Sequence, residues 1–184
     1  MSVFADQRFI DAFVARGEFP AIHDKVAAIL KARAAEPEPF VDLGACIGLL
    51  SARALALGRS EGHAIEGTPE YLARAVQLPR LTYHPFYVGP GTLEQLAGLI
   101  RGAGATLCIA RRVLPEIDQA APGIIPELAG VLRATGIRKW IVQGRVPVKR
   151  PAARLACIDL EVEAIGKAFT TRCQLADVVL LEPR

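Results

Sequence analysis

From Phe40 onward the chain alternates short apolar runs with helix-length segments, an order that few folds accept. The runs at residues 40–43, 63–65, 81–83 (extending toward 88), 106–110 and 139–143 are of strand length. Segments 47–57, 69–77, 92–101 and 126–134 lie between them and carry helical patterning. Strands that alternate with helices of roughly 10–15 residues predict βαβ units and a parallel sheet, and right-handed crossovers put helices on both of its faces.

The C-terminal part breaks the alternation. A helix expected over 158–169 leads to two strand-like runs, 170–175 and 178–182, separated only by Ala176-Asp177, which predicts an antiparallel hairpin. Ahead of the sheet, Ile10, Phe13 and Val14 suggest one short amphipathic helix. Ile22, Val26, Ile29 and Leu30 fall at i, i+4, i+7 and i+8 and predict a second. An AAEPEP joint at 34–39 follows. The expected fold class is therefore α/β, a Rossmann-like doubly wound, mostly parallel sheet ending in an antiparallel β-hairpin. Residues 1–36 form an N-terminal helical extension and 37–184 the Rossmann-like domain.

Composition narrows the function classes. A length of 184 residues suits one domain, and 52% hydrophobic residues with dispersed charge suit a packed core and not a disordered chain. No apolar run approaches the roughly 20 residues that span a bilayer, so no membrane partner is expected. Asp6 and Asp11 stand where a secretory signal would carry a basic stretch and an apolar core, so none is expected. The four cysteines (Cys46, Cys108, Cys157, Cys173) have no CxxC spacing and no neighbouring histidine. No metal site is expected, and a reducing cytoplasm suits such thiols. The net charge of +3 is too small by itself to imply nucleic acid. Its distribution is more uneven: Arg133, Arg138, Lys139, Arg145, Lys149, Arg150 and Arg154 lie in a stretch with no acidic residue.

The chemistry-bearing motif is Phe40-Val41-Asp42-Leu43-Gly44-Ala45-Cys46-Ile47-Gly48. An apolar strand ends in an acid and a glycine, turns, and enters a helix expected at about Ile47. Gly44 removes the Cβ that would obstruct a tight turn and ligand approach, and Gly48 lets the helix pack near the strand. The carboxylate of Asp42 suits a cationic amino group better than a pyrophosphate. The second strand ends in Glu66 and Gly67, an acid placed about 20 residues after the glycine turn, where ribose hydroxyls are held in nucleotide-binding units. Thr68 and Pro69 then make a helix start. A dinucleotide GxGxxG counted from Gly44 fails at Cys46 and Leu49.

VDLGACIG resembles the first motif of class I S-adenosylmethionine-dependent methyltransferases, with Cys46 in place of the middle glycine. GACIG followed by AIEGTPEYLARA is similar to the FkbM-like branch of that superfamily. The resemblance is good over 40–77 and loose beyond. It implies that Asp42, Gly44, Ala45, Cys46 and Gly48 hold the methionine part of S-adenosylmethionine and that Glu66 and Gly67 hold the ribose. A cysteine fits that turn if its φ stays negative. The family often has an adenine-binding acid after the third strand. This chain has Tyr87-Val88-Gly89-Pro90-Gly91 instead, leaving backbone groups or a plain turn.

In open α/β sheets ligands lie beyond the carboxyl ends of the strands. After the fourth strand come Arg111 and Arg112, candidates for holding an anionic acceptor, and Glu116, a candidate general base. Arg145 follows the fifth strand as a third acceptor-binding candidate. The [DN]PP[FYW] motif of amino-methylating DNA enzymes and the Pro-Cys pair of cytosine-C5 enzymes are both missing. His23 and His63 are expected to be structural, while His84 lies within reach of the active edge. The functional expectation is a methyltransferase of unknown acceptor acting by direct displacement. The rivals are an inactive methyltransferase-like binding or assembly module and a nucleic-acid methyltransferase using the basic 133–154 stretch.

Overall fold

The computed structural model describes residues 7–32, 37–145, 155 and 157–184. Helices α1 (Gln7–Arg16) and α2 (Asp24–Ala32) precede the sheet. Then follow β1 (Phe40–Leu43), α3 (Leu49–Ala56), β2 (Gly62–Ile65), α4 (Pro69–Leu72) and β3 (Leu81–His84). The chain continues through α5 (Leu93–Ala103), β4 (Leu107–Arg111), α6 (Leu114–Ala120), α7 (Ile125–Ala134) and β5 (Lys139–Gln143). It ends with α8 (Ile158–Ile165), β6 (Phe169–Leu175) and β7 (Val178–Pro183).

The seven strands form one sheet in the order β3-β2-β1-β4-β5-β7-β6. The pairs from β3 through β5 are parallel, and β7 is antiparallel to both β5 and β6. This is the doubly wound sheet with a terminal hairpin. The strand order reverses between β1 and β4, and at that switch point the loops after the two strands diverge and leave a crevice.

Strand alternation assigns each side chain to a face. Val41, Leu43, Cys108, Ala110, Trp140 and Val142 join one apolar layer under α5, α7 and α8. Phe40, Ile109, Ile141, Val178 and Leu180 join a second layer under α2 and α3. Trp140 and Phe169 meet edge to face, with centroids 5.5 Å apart, inside the first layer.

Several elements depart from expectation; the helix expected over 158–169, for one, ends at Ile165, and Phe169 already belongs to β6. The helix expected over 69–77 stops at Leu72, because Val76 N–H donates to Ile47 O at 3.0 Å and Val76 O accepts from Tyr83 Oη at 2.9 Å. These tertiary partners replace helical ones. An additional helix, α6, occupies 114–120, with Pro115 in its first turn, where the missing N–H costs nothing. β3 ends at His84 and does not run on to 88, since Pro85 follows it.

α2 packs on α3 and β7. Arg53 of α3 reaches back to Asp24 at 2.7 Å, and Lys25 donates to Asp177 in the hairpin link at 2.5 Å. The start of α2 is thereby tied to α3 and to the hairpin link. No described helix is long and apolar enough to cross a membrane.

Candidate functional site

The turn after β1 carries an unusual concentration of left-handed backbone. Gly44 has φ +66° and Gly48 φ +79°. A Cβ on Gly44 would collide with Val113, in the turn after β4, and one on Gly48 would collide with Tyr83 Oη. The glycines therefore let two neighbouring elements close over the turn. Gly48 is the N-cap of α3, which starts at Leu49 and not at 47. Cys46 also sits at φ +55°, so the expectation of a negative φ is corrected. The position holds a conformation that glycine takes freely, at a cost that a side chain ordinarily avoids.

Glu66 organises this turn. It is buried; its Oε2 accepts Cys46 N–H at 2.8 Å, and its Oε1 accepts Thr68 N–H at 2.8 Å. The acid of β2 thus ties the turn after β1 to the turn after β2. Gly67 lies under the Tyr87 ring, with no room for a Cβ between them.

Asp42 is 1% exposed, and its Oδ2 accepts the Ser51 hydroxyl proton at 2.6 Å. Burial raises its pKa to about 7, against the lowering influence of Ser51 and Arg111. Along β4, Arg111 has the same parity as Leu107 and Ile109 and so leaves the sheet on the same face as Asp42. Gln143 of β5 does likewise, donating to Asp177 Oδ2 at 3.2 Å. Burial and the neighbouring Arg112 lower the Arg111 pKa to about 10, so the guanidinium remains charged.

Asp42 and Arg111, with the turns after β1 and β2, line one cavity of about 650 Å³. Its floor is Asp42, Gly44, Ala45 and Cys46, and Glu66, Gly67 and Thr68 bound one side. Phe86 and Tyr87 stand beyond them; Arg111, Arg112, Glu116 and Arg145 form the other side. Gly48 does not line the cavity. The volume is that of a small-molecule site.

The two halves differ. Arg112 has φ +55° and donates its N–H to Gln143 O at 2.7 Å, which fixes the exit of β4 against β5. Glu116 and Arg145 are exposed at the rim. Burial and the negative charge of Glu66 raise the Glu116 pKa, while Arg145 opposes the shift.

Other residues are placed differently. His84 lies 3.1 Å from His63 between β2 and β3 and does not line the cavity. The basic residues expected as one stretch are divided by β5. Lys139, at its start, pairs with Glu38 at 2.9 Å, whereas Arg145 lies past its carboxyl end. Lys149, Arg150 and Arg154 lie outside the described residues. No metal-holding cluster of His, Cys, Asp or Glu occurs among the described residues.

Ser51, the partner of Asp42, and Phe86 carry no expectation from the sequence, although an apolar-flanked serine in the helix after β1 and an aromatic pair after β3 are visible signals. His23, expected to be structural, lines the cavity, a placement that depends on the docking of α2.

No family model matches the chain, and no curated protein matches its sequence. Among solved structures it is similar to the bifunctional kinase-methyltransferase WbdD, with TM-score 0.66 and 14% identity, over 98% of this chain and 43% of that one. It is also similar to Burkholderia thailandensis 1,6-didemethyltoxoflavin-N1-methyltransferase bound to 1,6-didemethyltoxoflavin and S-adenosylhomocysteine. There the TM-score is 0.64 and the identity 16%, over 96% of this chain and 86% of that one. The N-methyltransferase NodS from Bradyrhizobium japonicum WM9 superposes with TM-score 0.62 at 11% identity, over 88% of this chain and 94% of that one. The chain thus spans less than half of the WbdD chain it matches. At these identities the shared property is the fold.

Proposed function

From a chain with the class I methyltransferase fold, distant in sequence from its structural neighbours, we propose an S-adenosylmethionine-dependent methyltransferase. The observation that carries this reading is the convergence of the acids ending β1 and β2 on one cavity floored by the glycine turn. Two such acids suit a nucleoside that carries a zwitterionic amino-acid arm. Asp42 faces its ammonium group and Glu66 its ribose hydroxyls, with Gly44, Ala45 and Cys46 presenting backbone between them. The second lone pair of each Glu66 oxygen accepts from the ribose while the first keeps the turn in place.

Bound there, S-adenosylmethionine supplies a methyl group on a sulfonium leaving group. The chain's own contribution is to hold the acceptor in line with that methyl and to exclude water. Arg112 and Arg145, which line the same cavity, suit an anionic acceptor, and Glu116 at its rim takes a proton from it. Isothermal titration calorimetry tests the reading: S-adenosylhomocysteine binds the wild type, and Asp42→Ala and Glu66→Ala each lose about tenfold or more in affinity. Wild-type protein that takes up neither S-adenosylmethionine nor its homocysteine product at millimolar concentration overturns it.

A second reading is a methyltransferase-like binding or assembly module. It is favoured by the structural work both acids already do, Asp42 with Ser51 and Glu66 with two backbone N–H groups. Release of S-adenosylhomocysteine in a mixed-acceptor screen separates an enzyme from a module. The basic residues on either side of β5 give a nucleic-acid acceptor less support than a small anionic one, since they do not share one edge.

A further inference from the structure

His23 stands apart from every motif, yet it lines the same cavity. It ends the short turn Ala21–His23, whose geometry is set by His23 N–H donating to Pro20 O at 2.9 Å. The two ion pairs that follow it directly, Asp24 to Arg53 and Lys25 to Asp177, anchor that turn where His23 shares the cavity with Asp42 and Arg111. The side chain is 4% exposed, and its Nδ1 is buried with no hydrogen-bond partner among the described residues. A buried imidazole nitrogen with nothing to bond is costly, and a ligand atom in the cavity would relieve that cost.

The charges around it specify the atom. Asp42 and Arg111 lie on the same sheet face beneath His23, one negative and one positive. Burial, with Arg111 and Arg53 nearby, pushes the imidazole pKa down to about 3, so His23 is neutral and able to donate one hydrogen bond. An α-amino acid arm whose ammonium lies at Asp42 directs its carboxylate toward the remaining donors.

We propose that His23 and Arg111 bind the carboxylate of the cofactor's amino-acid arm, so that the N-terminal extension is a working wall of the cofactor site. This rests on the S-adenosylmethionine reading above. The α1–α2 segment is then more than a docked appendage, because the pocket is incomplete without it.

Two ligands separate the claims: S-adenosylmethionine and its decarboxylated form, which keeps the ammonium and lacks only the carboxylate. Calorimetry on the full chain is expected to show His23→Ala losing about tenfold in affinity for the first and under twofold for the second. His23→Asn, which retains an amide donor near the position of Nδ1, should recover most of the loss. Equal losses for both ligands, or no loss for either, overturn the proposal and give His23 a merely structural role. A wild type that binds neither ligand brings down the cofactor reading itself, a result distinct from both.

Discussion

On one face of the sheet β1, β4 and β5 present Val41 and Leu43, Cys108 and Ala110, Trp140 and Val142, all buried in one apolar layer. On the other face the same strands present Phe40, Ile109 and Ile141, then change at their carboxyl ends to Asp42, Arg111 and Gln143. The backbone ladder is shared, so the contrast lies wholly in the side chains. The first face contributes cohesion. The second gives up cohesion over one turn's length and gains a cavity with opposed charges, roofed by the N-terminal extension. Groups buried for function in this way are normally destabilising, and the surrounding core offsets them.

The largest effect should come from the dry face. Trp140 is fully buried against Phe169, and Trp140→Ala is expected to cost about 4 kcal/mol in a urea-unfolding measurement. Below its unfolding transition the variant should bind S-adenosylhomocysteine as the wild type does. A parallel loss of affinity would break the division between faces.

Each face also holds one buried carboxyl with a raised pKa, and these sharpen the comparison. Asp42 is raised to about 7 and Glu161 of α8 to about 8, burial being the first cause of both. Glu161 is fully buried, and neither of its oxygens has a partner among the described residues. In both cases the folded state binds the proton more tightly than the unfolded chain. Their stabilising contribution is complete below the unfolded carboxyl pKa near 4 and is lost as pH rises through about 7 to 8. Asp42→Asn and Glu161→Gln should therefore each raise stability at pH 8, by on the order of 2 kcal/mol, and flatten the fall between pH 4 and 8.

Ligand affinity tells the two apart. A cationic amino group needs ionised Asp42, so the wild type should bind S-adenosylhomocysteine more tightly at pH 8 than at pH 6. Asp42→Asn should bind weakly at both, while Glu161→Gln should keep the wild-type profile. An affinity that is flat with pH in the wild type would remove Asp42 from the site.

Much of this arrangement was legible in the sequence, and the parts that were not share a cause. The bounds of β1 and β5 follow from the sequence to the residue, since strands buried on both faces carry apolar residues at consecutive positions, as Phe40-Val41 and Trp140-Ile141-Val142 do. The hairpin was legible from Ala176-Asp177, a two-residue polar link between the strand-length segments 170–175 and 178–182. Asp42, Gly44 and Glu66 stood out because an acid or glycine ending an apolar strand is locally conspicuous. Illegible were the features decided by distant partners. The true end of α4 depends on Ile47 and Tyr83, the burial of His23 on α2 meeting β7 and α3, and the need for Gly44 on Val113. α6 is too short to show a helical period, and Pro115 reads equally as a loop residue or as the first turn of a helix.

The smallest effect, and the finest test of how the polar face is built, concerns Cys46. Its φ of +55° is a conformation that glycine adopts freely and a side chain adopts at a cost of about 1–2 kcal/mol. Cys46→Gly removes that strain but enlarges the conformational freedom of the unfolded chain, which takes back about 0.5–1 kcal/mol. The net expectation is a gain of about 0.5 kcal/mol, with Cys46 N–H still donating to Glu66 and ligand affinity unchanged. Cys46→Val, which adds β-branching at the same φ, should lose more than 1 kcal/mol. If both variants were equally destabilised, the thiol would contribute by packing, with the partly buried side chain supporting the apolar layer beside it. If glycine stabilises and valine does not, the turn holds its shape despite the residue at its centre, through the Glu66 bonds on one side and the collapse of Val113 onto Gly44 on the other.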